Sequence, residues 1–136
     1  MTTAELPDSA TITQLRQATA DLLWLSESDY PFEVITWERG VEMTPKGLFA
    51  EVSEGDVAVE AIPLADFFAG AISVEDWYEA EELAQVDRYQ RLLHTIESNL
   101  TEVQVFRLGE VDITVYIVGK TLDGEIVGLK THTIET

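Results

Sequence analysis

Val111-Asp-Ile-Thr-Val-Tyr-Ile-Val-Gly-Lys-Thr-Leu-Asp-Gly-Glu-Ile126 is the stretch that decides the fold. Val111, Ile113, Val115 and Ile117 recur at every second position, the period of a strand, while Tyr116 and Val118 occupy the opposite face. Asp123-Gly124 is the preferred chemistry for a tight hairpin turn, so Ile126 to Ile134 is expected to return antiparallel to this strand. Upstream, Val103-Gln-Val-Phe-Arg-Leu108 supplies another strand, turned at Gly109-Glu110. Bulky apolar residues stand on both faces of these strands. A sheet with one wet face would show a cleaner alternation, so both faces are expected to be covered.

The covering layers are sought among the helical patterns. Val86, Tyr89, Leu93, Ile96 and Leu100 form one stripe, with Glu79, Glu82, Arg91 and Glu97 free to face water, and this longest helix should stop near Asn99. Ser73 and Asp76 have the spacing of a capping box ahead of it, with Asp in place of the usual Glu or Gln. An earlier helix is read from Ile12, Leu15, Thr19, Leu22 and Leu23, closed by Leu25 and started by Ser9 or Thr11, with residues 1–10 loose. Pro31 forbids its continuation, and Phe32 to Trp37 alternates like a strand. Glu38 to Pro45 reads as a connection, Leu48 to Val52 and Val57 to Ile62 as two short strands, and Pro63 to about Gly70 as a short helix. The expected architecture is α+β: a single domain over residues 1–136, folded as a three-layer α/β/α sandwich with a mainly antiparallel central sheet.

Composition narrows what such a domain does. Hydrophobic residues make up 46%, enough for a packed core, yet Lys+Arg 8 against Asp+Glu 26 leaves a net charge of −18 and a pI near 4.1. That surface repels nucleic acid and anionic membranes, so no direct nucleic-acid or membrane binding is expected. It attracts basic proteins by fast, salt-sensitive association, including proteins whose own ligand is a polyphosphate. There is no cysteine for a disulfide or a thiolate metal site, no basic-then-apolar leader and no run of membrane-spanning length, so a cytoplasmic protein is the default.

Chemistry of its own is not indicated. The sequence has no Gly-rich phosphate loop, no Gly-x-Ser-x-Gly elbow and no Asp-x-Asp-x-Asp-Gly calcium loop. His94 and His132 lie on different elements without metal-ligand spacing. Carboxylates are too numerous for any pair of them to be informative. The expectation is a binding protein without a cofactor of its own.

Three stretches offer contact points. Ser26-Glu27-Ser28-Asp29 is a polar link held between the first helix and the first strand, and acids at a helix C-terminus oppose its dipole. Trp77 serves either as core or as an exposed anchor. The tail Thr131-His-Thr-Ile-Glu-Thr136 follows a strand running almost to the terminus, which would hold the final carboxylate still enough to ligate a hard cation such as Mg²⁺.

Taken together, these residues resemble the nuclease A inhibitor family, small acidic proteins that block non-specific DNA/RNA endonucleases of the ββα-metal type. The likeness runs collinearly through Leu22-Leu23, Ser26 to Val34, Asp76-Trp77-Tyr78-Glu79, Glu81-Glu82, Leu92-Leu93, Ser98-Asn99-Leu100, Arg107 to Val111, Tyr116, Gly119, Thr121, Gly124 and Glu135-Thr136. It lapses between about Arg39 and Val59. The resemblance implies an α/β/α sandwich and an inhibitor that enters the nuclease cleft, with Glu27, Glu75, Trp77, Glu135 and Thr136 at the interface. It implies that Thr136 ligates the catalytic Mg²⁺ of the nuclease and that Glu27 pairs with a catalytic arginine. Glu75 departs from the family's Gln-Asp-Trp turn, and Asp29 acquires no role. The alternative reading is an acidic DNA-mimic module for another basic protein, supported by Glu75 and the divergent 39–59 region.

Overall fold

The computed structural model describes residues 9–24, 30–38, 40–48, 59–122 and 124–134. Within these lie helices α1 (Ser9–Thr19), α2 (Pro45–Leu48), α3 (Leu64–Phe68) and α4 (Ala80–Asn99). The strands are β1 (Leu23–Trp24), β2 (Tyr30–Pro31), β3 (Glu33–Trp37), β4 (Val59–Ile62), β5 (Thr101–Leu108), β6 (Asp112–Lys120) and β7 (Ile126–Ile134). Five of them form one sheet in the order β3-β7-β6-β5-β4, every neighbour antiparallel, and β1 pairs with β2 in a separate two-stranded ladder.

The three C-terminal strands form and pair as expected, with local differences at Val111 and at the last turn. Ile117 is aligned with Val105 on one side and Leu129 on the other, so three apolar side chains cross the sheet in a row. These residues, with Ile113, Val115 and Val127, pack against Leu15 of α1, Phe68 of α3 and Tyr89, Leu92 and Ile96 of α4. The opposite face carries Phe106, Leu108, Val118 and Ile126, which meet Leu48 together with Val41, Met43 and Trp37. Gly128 is required on that face, since a Cβ there would run into the Ile117 carbonyl and stand 3.2 Å from the Trp37 ring. Val111 departs from its expected stripe: it precedes β6 and is 52% exposed. The β6–β7 turn is also longer than two residues. Gly124, at φ 84°, donates its N–H to the Thr121 carbonyl at 3.0 Å, and Thr121 donates to the Glu125 carbonyl at 2.9 Å.

The first helix is shorter than its apolar pattern. It ends at Thr19, whose hydroxyl donates back to the Leu15 carbonyl at 2.8 Å, and Asp21 then turns the chain with φ 59°. The Arg88 guanidinium, on α4, donates to the Ala20 carbonyl at 2.6 Å and to Ala18 at 3.4 Å, closing the helix end with a cation that suits its dipole. Leu22 stays buried because it enters the core beyond this turn, and Leu23 belongs to β1. At the N-terminus, Ser9 and Ala10 are helical and not loose as expected, and residues 1–8 lie outside the described residues.

Two other local readings change. The strand expected from Leu48 does not begin there, because Leu48 closes the helical turn α2; residues 49–52 lie outside the described residues. Thr44 accepts the Gly47 N–H at 3.2 Å, and Pro45 occupies the first helical position, a helix-start signature that outweighs the apolar alternation. The long helix runs to Asn99 as expected, but its capping box is Glu79 with Glu82. The Glu79 N–H donates to Glu82 Oε1 at 2.9 Å, whereas Ser73 donates to the Ala69 carbonyl at 2.7 Å, just beyond α3. Leu92, rather than Leu93, is the fully buried leucine of α4.

Candidate functional site

The link carrying Glu27 connects two strands, not a helix and a strand. Leu23 pairs with Pro31 and Trp24 with Tyr30, so residues 25–29 join the ends of an antiparallel ladder. Both sides of that ladder are fixed by the core. On one side Trp24 stacks on Phe67 with ring centroids 4.3 Å apart and meets Tyr89 edge-on at 5.4 Å. The Tyr89 hydroxyl donates a short hydrogen bond to the Leu23 carbonyl and accepts one from the Gln85 amide at 3.1 Å. On the other side the buried Thr131 hydroxyl donates to the Pro31 carbonyl at 2.9 Å, and the Tyr30 ring lies 5.2 Å from that of His132.

Strand direction then runs the described residues that flank the candidate segments toward one end of the sheet. β3 is antiparallel to β7, with Glu33 opposite Lys130, so moving back from β3 through Pro31 and Tyr30 runs toward the end of β7. β7 remains paired as far as Ile134, opposite Asp112, two residues short of Thr136. The chain also reverses through Leu100 between α4 and β5, which directs the start of α4 toward the same end. Tyr78 and Glu82 accordingly share a cleft with Leu23 and Trp24.

Of the site residues expected from sequence, Glu75 and Trp77 are described. They lie in the turn before α4, where the Tyr78 N–H donates to the Glu75 carbonyl at 3.1 Å. Trp77 is 69% exposed and packs edge-on against Tyr78, with centroids 4.6 Å apart, so it is not a core residue. Glu75 is exposed beside it. Glu27, Glu135 and Thr136 lie outside the described residues, as does Asp29. The structure therefore brings together what flanks Glu27 and Thr136.

Pattern reading missed the aromatic cleft formed by Trp24, Phe67, Tyr78 and Tyr89. Tyr89 was visible only as one member of the α4 stripe, and Trp24 only as a residue near the end of a helix. The concentration of aromatic residues was the one available signal, but their meeting depends on the tertiary fold.

The described arginines of α4 and β5 have partners of their own. Arg88 is engaged with the carbonyls at the end of α1, and Arg91 pairs with Asp87 at 2.8 Å on the exposed helix surface. Arg107 pairs with Glu60 at 3.2 Å across β4 and β5. Among the described residues no group of three or more His, Asp and Glu side chains is placed to hold a metal ion. No helix among them is long and apolar enough to cross a membrane.

The Tyr89 contact predicts a separable effect on the ladder. Tyr89→Phe keeps the ring but leaves the buried side of the Leu23 carbonyl without its donor, an expected cost of about 1–2 kcal/mol. Thermal unfolding should register that loss. Faster amide hydrogen exchange at Trp24 and Tyr30 than elsewhere would localise it to the ladder.

The family profile described as NuiA, nuclease A inhibitor-like protein, matches residues 9–136. A search of curated proteins returns no match.

Proposed function

The chain belongs to the nuclease A inhibitor-like family, a family of inhibitors and not of enzymes, and on that premise we propose how it inhibits. It is a stoichiometric inhibitor of a sugar-non-specific, metal-dependent DNA/RNA endonuclease of the ββα-metal type. Glu27 and Thr136 enter the nuclease cleft, where phosphodiester is otherwise bound by arginine, lysine and a divalent metal. Glu27 pairs with a catalytic arginine, and the Thr136 carboxylate ligates the Mg²⁺ of the nuclease. The inhibitor brings no metal or cofactor of its own. Trp77 is an apolar anchor at the interface, accompanied by Glu75 and Glu135. The protein acts in the cytoplasm, shielding cellular nucleic acid.

One observation carries this reading: the antiparallel register of β3 and β7 directs the ladder around Glu27 and the final strand toward one end of the sheet. In the proposed mode, Glu27 and Thr136 extend from these flanking segments and replace two phosphates in one cleft. The exposed Trp77 near that end supplies what carboxylates alone lack, a large apolar surface to exclude water. The net charge of −18 favours approach to a basic cleft and makes the association rate fall as salt rises. In this reading α1 and α4 form one outer layer, and the region around α2 belongs to the other, completing an α/β/α sandwich.

Titration of a ββα-metal nuclease with the protein tests the proposal. Activity should fall linearly to an equivalence point at equimolar inhibitor when the nuclease concentration is well above Kd. Undiminished activity at large molar excess, across several enzymes of the class, would overturn it.

A further inference from the structure

Between the β1–β2 ladder and the first turns of α4 lies a cleft of about 620 Å³. Trp24, Phe67, Tyr78 and the buried Tyr89 line it together with Leu23, Ala71 and Val86, and three exposed acidic residues, Asp21, Glu81 and Glu82, belong to the same lining. Among the described residues no lysine or arginine lines it. We propose that this cleft receives an arginine side chain of the partner nuclease, at a contact outside that enzyme's catalytic centre. The identity of the partner rests on the function proposed above, whereas the preference for arginine follows from the cleft itself.

Each wall restricts the occupant. An anionic group would face three carboxylates, and a purely apolar side chain would leave these exposed acids without a counterion. A cation satisfies the carboxylates. The stacked Trp24 and Phe67 rings, with Tyr89 edge-on to Trp24, add an aromatic surface that favours a flat, weakly hydrated cation over a compact ammonium. A guanidinium meets both conditions, since its face lies on an aromatic ring while its edge donates toward carboxylate oxygens. The nearby Arg88 does not fill this role, because its guanidinium is directed to the carbonyls of Ala18 and Ala20. Glu82 uses Oε1 for the Glu79 N–H, which fixes its position at the helix start.

The cleft is also placed to act with the ladder. Leu23 and Trp24 line it and lead directly into residues 25–29, and Tyr78 lines it immediately after the exposed Trp77. A partner that contacts Trp24 or the exposed Trp77 therefore lies beside the cleft. Its charge complements a basic surface of the kind that binds nucleic acid.

The test uses the isotopically labelled full chain and N-acetyl-arginine amide as probe, with N-acetyl-citrulline amide as its neutral isostere. Saturable shifts are expected at the Trp24 indole N–H and at Tyr78, and the isostere should bind about fivefold or more weakly, the scale of an exposed cation–π contact with an ion pair. The Asp21→Asn, Glu81→Gln variant should weaken arginine-amide binding; asparagine suits the positive φ of Asp21, so the turn is retained. Equal binding of the two probes, shifts confined to Trp37 or Trp77, or self-association of the protein across Trp24 would each overturn the proposal. A second arm compares the same variant with wild type as a nuclease inhibitor, where a rise in Kd of about fivefold supports the contact. Unchanged Kd beside intact inhibition overturns the cleft's role while leaving the inhibitor function standing. Absence of inhibition by both proteins rejects the nuclease partner instead, and the arginine contact to that enzyme with it.

Discussion

If the proposed mode holds, deletion of Thr136 is expected to weaken nuclease inhibition by at least about tenfold while leaving the described sheet intact, because it would withdraw a ligand from the partner's metal. β7 is anchored upstream of the terminus: Thr131 and Thr133 are buried, and Ile134 is paired with Asp112. Losing one terminal residue therefore leaves every pairing of the described sheet in place. It nevertheless draws the α-carboxylate back by one residue, about 3.4 Å along an extended chain. Mg²⁺ holds oxygen ligands at about 2.0–2.1 Å in a strict octahedron, so such a displacement removes the carboxylate from its shell. Inhibition constants and thermal melts of the wild type, the deletion and Thr136→Ala measure the effect. Thr136→Ala retains the carboxylate and should retain most of the affinity; wild-type affinity in the deletion would refute metal ligation by the terminus.

The parts of the fold that could be read from sequence are those whose information is local. The alternation of Ile113, Val115 and Ile117 identified a strand, and Tyr116 and Val118 showed that its second face was covered. The end of α1 could not be read this way. Its apolar pattern continues through Leu22 and Leu23, and the contact that closes it comes from Arg88 on a distant helix. The turn at Thr44-Pro45 was local, but the apolar residues around Leu48 suggested a strand more strongly than a capping threonine and a proline suggested a helix.

Legibility of the site followed the same division. Charge alone left a basic partner open beside a surface that merely keeps the protein soluble, and family resemblance supplied roles for Glu27, Trp77 and Thr136. Neither indicated that Trp24 joins Phe67 and Tyr89 in a cleft, since those residues are separated in sequence and meet only when the ladder lies against α4. The exposed position of Trp77 also required the structure, because a tryptophan at the start of a helix fits a core as well as an interface.

Glu27→Ala is expected to have the larger effect if its carboxylate meets a catalytic arginine away from water. Truncating one partner of such a pair typically costs about 2–5 kcal/mol, or about 30-fold or more in Kd, much of it from the charge left buried without a counterion. The scaffold supports a cost at that scale. Trp24 and Tyr30 are paired across the ladder, Tyr89 holds the Leu23 carbonyl, and Thr131 holds the Pro31 carbonyl, so the ends of the link do not have to be ordered at binding. Glu27→Gln separates charge from shape: it keeps the side-chain length and should still lose most of the affinity. Asp29→Asn, in the same link but without an assigned contact, should mainly slow association at low salt. Stopped-flow association and dissociation rates distinguish these outcomes. Faster dissociation for the Glu27 variants and slower association for the Asp29 variant are the expected pattern, whereas equal effects at both positions would reduce the link to a diffuse negative patch. The Glu27→Ala, Thr136-deleted double variant then asks whether the two acids occupy one cleft. Independent contacts add their free energies, while a loss smaller than the sum shows that removing either one already releases the other from the nuclease.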